Sequence, residues 1–175
     1  MSAGGNSLCG PSGGAIIAAL KQARIEFVAA VPDIVTSAGL LWPLSRDPAF
    51  RLVRLCKEDE GVSICAGLAF TGRRAVLLIQ QTGFLDSLNS IRAIAVEYAQ
   101  PICMLIGLQG KEPDRLPSVS ERYGVRIIEP IMEAMGIDHI NIEGTSDVAA
   151  LIPAIDRAYA QSRPLAALIG RTVEQ

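Results

Sequence analysis

The chain has 175 residues, half of them hydrophobic and only 5% aromatic, with a formal net charge of −2. That length makes one domain with a core of Ala, Ile, Leu and Val. The charge balance gives no nucleic-acid footprint, and no apolar run reaches the roughly 18 residues of a membrane helix.

The Gly/Ser-rich residues 1–11 read as a flexible tail without the basic segment of a secretory signal, so a cytoplasmic location is expected. A single domain is expected over 12–175. The apolar pattern predicts a helix over 12–22, a strand over 25–31 ended by Pro32 and Asp33, and a helix over 34–44 broken at Pro43. A strand over 51–55 leads into a helix over 58–71, stopped by Gly72. Residues 75–80 and 101–106 are continuous apolar strands. Between them lie a turn at Gln81, Thr82 and Gly83 and a helix over 86–99, capped by Asp86 or Ser87. A polar loop over 107–125 exceeds the usual connection length, which points to function or mobility. A helix over 129–135, a strand over 139–142, a helix over 146–162 and a strand over 165–169 complete the chain.

Continuous apolar strands alternating with helices predict an α/β fold, a parallel sheet of about six strands with helices on both faces. Ligands of such sheets gather at the carboxyl ends of the strands. Four connections fall there: Pro32 and Asp33, residues 56–61, residues 81–85 and residues 107–124. The mean hydropathy of +0.33 is high for a domain of this kind, so some apolar surface is expected in a subunit interface.

Several chemistries are excluded. Gly4, Gly5, Gly13 and Gly14 precede the first strand, so they form no phosphate-binding loop after it. There is no Gly-x-Ser-x-Gly elbow. The four cysteines form no Cys-x-x-Cys pair and read as buried free thiols of a reducing compartment. One histidine, His139, makes neither a histidine triad nor a two-histidine metal site.

Glu58, Asp59 and Glu60 stand at a strand-to-helix junction. Acidic groups favour the positive end of a helix, which would account for all three. Alternatively, one projects from the sheet edge and performs acid–base chemistry, its pKa raised by apolar neighbours. The helix that follows is small at Gly61, Ala66, Gly67 and Ala69, for packing on the sheet or for close approach of a partner. The stretch from Gln80 to Asn89 reads either as turn and cap chemistry or as amide and hydroxyl groups beside a ligand.

Four stretches, in this order, resemble the pyrimidine-binding domain of thiamine-diphosphate enzymes of the sulfopyruvate and phosphonopyruvate decarboxylase type. They are Val31-Pro32-Asp33, the run from Lys57 to Gly67, Gln80-Gln81-Thr82-Gly83-Phe84-Leu85-Asp86-Ser87-Leu88-Asn89, and the run from Pro101 to Gly110. In that family the catalytic Glu lies nine residues before the helix glycine, which selects Glu58 by its distance from Gly67. The resemblance implies that Glu58 bonds the aminopyrimidine ring of thiamine diphosphate and promotes the tautomer that activates the thiazolium carbon. Asp59 and Glu60 keep the role of helix-start anions. Gln81, Thr82 and Gly83 would line the pyrimidine pocket, and Pro32 and Asp33 would border the substrate.

The resemblance implies a 2-oxo acid decarboxylase, with sulfopyruvate the favoured substrate. The chain lacks the family's Gly-Asp-Gly motif. Magnesium and the diphosphate are therefore expected on a separate subunit, and the pyrimidine domains are expected to pair with each other. Where the phosphonopyruvate pattern has Pro-Gln-His, this chain has Pro117-Ser118-Val119-Ser120, which leaves phosphonopyruvate or another 2-oxo acid as alternatives. A non-catalytic assembly subunit is the reading from another class, and a binder that works alone is a third. Arg92, Lys111 and Arg115 read as solvated surface charge.

Overall fold

Strands form where aliphatic and β-branched residues run without interruption. In the computed structural model, which describes residues 9–175, these are β1 (Phe27–Ala30), β2 (Arg51–Arg54), β3 (Ala75–Gln80), β4 (Cys103–Gly107), β5 (Asp138–Ile142) and β6 (Leu165–Ile169). All pair in parallel in one sheet of order β2-β1-β3-β4-β6-β5. The inner strands β4 and β6 are buried at every residue, whereas the edge strands β2 and β5 expose residues. This is why the inner strands read as continuous apolar runs.

Successive strand residues point to opposite faces, and each face has its own core. Val28, Val76, Leu78, Leu105 and Ala167 face α1 (Gly13–Gln22), α2 (Trp42–Leu44) and α8 (Leu151–Gln161). Ala29, Leu77, Ile79, Met104 and Leu168 face the second layer. That layer holds α3 (Glu58–Phe70), α4 (Gln81–Asp86), α5 (Leu88–Ser90), α6 (Tyr123–Arg126) and α7 (Ile128–Met135). The chain leaves β1 toward the first layer and leaves β3 toward the second. The switch of sides falls between the neighbouring strands β1 and β3, the position at which open α/β sheets hold ligands.

Several expected elements are corrected. Residues 34–44 are not one helix ended at Pro43. Ser37–Leu41 is wound as a π-helix, with the Leu41 amide donating to the Thr36 carbonyl five residues back at 3.1 Å, and α2 continues through Pro43. The wide turn accommodates close backbone packing: a Cβ on Gly39 would lie 2.5 Å from the Val173 carbonyl carbon, and one on Gly13 would strike the Gly39 carbonyl. Gln81, Thr82 and Gly83 are not a turn. Gln80 is extended and α4 begins at Gln81, so the predicted cap at Asp86 or Ser87 is displaced. Ser87 instead separates α4 from α5, and a second π-helical segment, Ile91–Glu97, follows. The long polar loop contains a 3-10 turn, Pro117–Val119, and α6.

Cys65 and Cys103 are buried, but Cys9 and Cys56 are exposed, because they lie outside strand and helix interiors. Burial pushes the Cys65 thiol up to about 12 and raises Cys103 as well. The His139 imidazole is half-buried 3.9 Å from Glu129 on edge strand β5. Of the tail predicted over 1–11, residues 1–8 lie outside the described residues. Gly10 donates to the Glu174 carboxylate at 3.1 Å, and the Pro11 carbonyl accepts from the Glu174 amide at 3.0 Å. Among the described residues no helix is long and apolar enough to cross a membrane.

Candidate active site

The three carboxylates that open α3 have different surroundings. Glu60 reaches back one turn and accepts the Cys56 amide at 3.1 Å, satisfying a donor at the helix start. Asp59 lies 3.5 Å from the Lys57 ammonium, which also pairs with Asp86 at 3.1 Å and so ties α3 to α4. Glu58 makes no hydrogen bond or ion pair among the described residues. It is half-buried, and its side chain lies flat against the backbone of Gly83 at the start of α4. A Cβ at Gly83 would sit 2.5 Å from both Cδ and Oε1 of Glu58 and closer still to Cγ. Glycine at 83 is therefore the space in which the Glu58 carboxyl rests.

The neighbouring residues hold the loops around this pair. Gln81 is buried and makes a reciprocal clamp with Gln109. Its Nε2 donates to the Gln109 carbonyl at 3.0 Å, and its Oε1 accepts the Gln109 amide at 2.8 Å. The exits of β3 and β4 are thus locked together. Thr82 is exposed, and its hydroxyl accepts from Gln80 Nε2 at 2.7 Å. The Asp33 carboxylate is taken up by its own loop, accepting from the amides of Val35 (2.6 Å) and Thr36 (2.8 Å) and from the Thr36 hydroxyl (2.6 Å). A Cβ on Gly107 would come within 3.0 Å of Asp33 Oδ1, so the end of β4 closes against this loop. Pro32 is exposed and lines a small recess on the other side of β1.

Of the six residues singled out by sequence, Glu58 and Gly83 are in contact and Thr82 adjoins them. Gln81 and Asp33 spend their polar groups on loop structure, and Pro32 faces elsewhere. Sequence reasoning missed Gln109 and Gly107. The only signal for them was that a buried strand ends in a glycine followed by polar residues. Arg92 pairs with Glu97 and Arg115 with Glu121 on the surface. Lys111, expected as solvated charge, is corrected. Its side chain is fully buried, with Nζ 3.0 Å from Glu143, because the loop after β4 folds back over the exit of β5.

The Glu58 carboxyl is available to hydrogen-bond or exchange a proton with a ligand. One carboxyl without a partner among the described residues sits beside a backbone that carries no side chain. Among the described residues no group of three or more His, Cys, Asp or Glu is placed to hold a metal ion.

No protein-family profile matches the chain. It covers 92% of its length on a chain of a 2-oxoglutarate:ferredoxin oxidoreductase from Magnetococcus marinus, with a TM-score of 0.65, 15% identity and 30% of that chain covered. At that identity the likeness is one of fold. What the two share is the six-stranded parallel sheet with helices around it, and with the sequence relatives below it supports the resemblance to thiamine-diphosphate pyrimidine-binding domains.

Sequence relatives narrow the resemblance. The chain is 32% identical over 98 residues to the sulfopyruvate decarboxylase alpha subunit of Methanothermobacter thermautotrophicus, covering 56% of this chain and 59% of that one. It is 28% identical over 159 residues to the sulfopyruvate decarboxylase of Methanosarcina acetivorans, covering 90% of this chain and 40% of that protein. The alpha subunit of Methanocaldococcus jannaschii is 28% identical over 104 residues, 61% of its length. The chain therefore spans less than two thirds of the length of each of these relatives.

Proposed function

We propose that this chain is the pyrimidine-domain subunit of a thiamine-diphosphate-dependent 2-oxo acid decarboxylase that acts on sulfopyruvate with a separate diphosphate-binding subunit. One observation carries the proposal: the Glu58 carboxyl, alone among the three at its junction, has no partner among the described residues and rests on Gly83. Glu58 holds or moves a proton at its carboxyl oxygen, opposite the aminopyrimidine ring. Gly83 leaves that oxygen room, and the ion pairs of Lys57 keep α3 and α4 in register beneath it. The clamp between Gln81 and Gln109 fixes the adjoining loops. The bound cofactor supplies the electron sink for loss of carbon dioxide.

The alpha-subunit naming of relatives supports a partner chain, which would bring magnesium and the diphosphate. Pairing of two pyrimidine domains is supported by the open outer face of α3. Nothing lies within 4 Å of a Cβ built on Gly67, and Phe70 is 79% exposed. The unoxidised buried thiols suit a reducing, cytoplasmic setting.

The test is reconstitution with the diphosphate-binding subunit, thiamine diphosphate and magnesium, measuring carbon dioxide release from sulfopyruvate and phosphonopyruvate. Glu58→Gln is expected to lower kcat about 100-fold or more without changing the unfolding midpoint. Undiminished turnover by that variant would make the chain an assembly subunit instead.

A further inference from the structure

We infer that Lys111 and Glu143 are positioning residues for Glu58, acting across the carboxyl edge of the sheet through Gln109, Gln81 and Gly83. The inference rests on the decarboxylase reading above and adds to it two residues remote from the Glu58 carboxyl. Lys111 follows β4 and Glu143 follows β5, and the two strands flank β6. The side chains meet at 3.0 Å, from positions 32 apart in the chain. The Lys111 side chain is wholly buried, and its Nζ also donates to the Glu112 carbonyl at 3.0 Å. The Glu143 carboxyl lies against the bare backbone of Gly170 at the end of β6, where a Cβ would come 2.5 Å from its Cδ. Its Oε1 is buried with no hydrogen-bond partner among the described residues. Apolar side chains often fill such a place at less cost, because a buried ion pair loses its hydration. What the pair provides is direction: an ammonium held between a carboxylate and a carbonyl fixes the turn that carries it.

That turn leads to the candidate site. The Lys111 amide donates to the Leu108 carbonyl at 3.2 Å, with Gly110 between them at φ +80°. The Leu108 amide donates to the Ile169 carbonyl at 3.0 Å, which anchors the turn to β6. Gln109, inside the turn, is the residue whose amide and carbonyl are held by the Gln81 side chain. Gln81 opens α4, and Gly83 in its first turn is the backbone on which the Glu58 carboxyl rests. The contacts therefore run without a gap from the exit of β5, over β6, β4 and β3, to the start of α3. Lys111 and Gln81 are both buried, so water does not readily replace these bonds when one partner is removed. Packed, hydrogen-bonded chains of this kind carry coupling between distant groups.

Hydrogen exchange and carboxyl NMR of the full chain read this coupling without turnover. Lys111→Met is expected to speed exchange at the Gln109 amide and to shift the Glu58 carboxyl resonance. In the reconstituted complex it should lower kcat for sulfopyruvate about tenfold, a part of the about 100-fold that a 1 Å misplacement costs, with KM unchanged. Lys111→Met also strands the buried Glu143 charge, so the urea midpoint should fall. Adding Glu143→Gln removes that charge, and the double variant should regain most of the midpoint but not the kcat. Should Lys111→Met alone fail to fold, the double variant carries the same readouts. Adding Lys111→Met to Gln81→Met should cost no further kcat, because both act through Gln109. A kcat that recovers together with the midpoint, an unmoved Glu58 resonance, or additive losses with Gln81→Met would overturn the inference and leave the ion pair a fold contact only. A wild-type complex that turns over no 2-oxo acid would refute the decarboxylase reading instead, and the exchange and resonance measurements would then decide the coupling.

Discussion

Gly83→Ala separates a structural from a chemical role at the candidate site. The added methyl carbon would lie 2.5 Å from Cδ and Oε1 of Glu58, whereas ordinary contact begins near 3.4 Å. The carboxyl must therefore withdraw by about 1 Å. Gly83 is inside α4 and is not in the left-handed region, so alanine is compatible with its backbone. Helix propensity favours alanine by about 1 kcal/mol. Forcing Glu58 off its rotamer costs about 0.5–1.5 kcal/mol. The two nearly cancel, so unfolding stability should change by less than about 1 kcal/mol. A 1 Å misplacement of a catalytic group costs about 100-fold in rate. Decarboxylation by the reconstituted complex, assayed by carbon dioxide release beside urea unfolding of the chain, should show a large rate loss at nearly constant stability. Because the effect passes through Glu58, adding Gly83→Ala to Glu58→Gln should cost nothing further. Full activity in Gly83→Ala, or additive losses in the double variant, would refute this account of the site.

Gln81→Met removes both bonds to Gln109 and leaves that backbone unpaired. Stability should fall by about 1–3 kcal/mol, with faster hydrogen exchange at the Gln109 amide; unchanged exchange would show that the clamp is dispensable. Gly61→Ala drives a methyl group into Leu77 and to 2.7 Å from Leu55 Cδ1, and should cost about 1–3 kcal/mol by overpacking. A neutral urea midpoint would show that α3 slides freely on the sheet. For the thiols, burial raises the folded pKa of Cys65 from 9.0 to about 12 and raises Cys103 too. Their contribution is intact below pH 9. Above it the unfolded chain ionises while the folded one does not, so each thiol costs about 1.4 kcal/mol per pH unit. Replacing both by alanine should flatten that slope, and an unchanged slope would count against the burial argument.

The sheet was legible in the sequence because burial on both faces of a parallel strand leaves an unbroken apolar run, as at 75–80 and 101–106. The edge strands and helix boundaries were less so. Residues 81–83 carry turn-like chemistry, yet α4 starts there because Gln81 is buried and clamped to Gln109, a partner 28 residues away. The π-helical turn before Trp42 likewise answers to a backbone contact between Gly39 and Val173, which no local pattern encodes. At the candidate site, the residue types at 58–60 were plain from the sequence, and spacing to Gly67 singled out Glu58 only through a family resemblance. Their different surroundings arise from three-dimensional neighbours: Cys56 for Glu60, Lys57 for Asp59 and the bare backbone of Gly83 for Glu58. The sequence by itself determined which strands and helices this chain builds, because burial periodicity is local. Only the tertiary structure decided that Glu58, which has no partner among the described residues, rests on Gly83, because that contact joins positions 25 residues apart on two different helices.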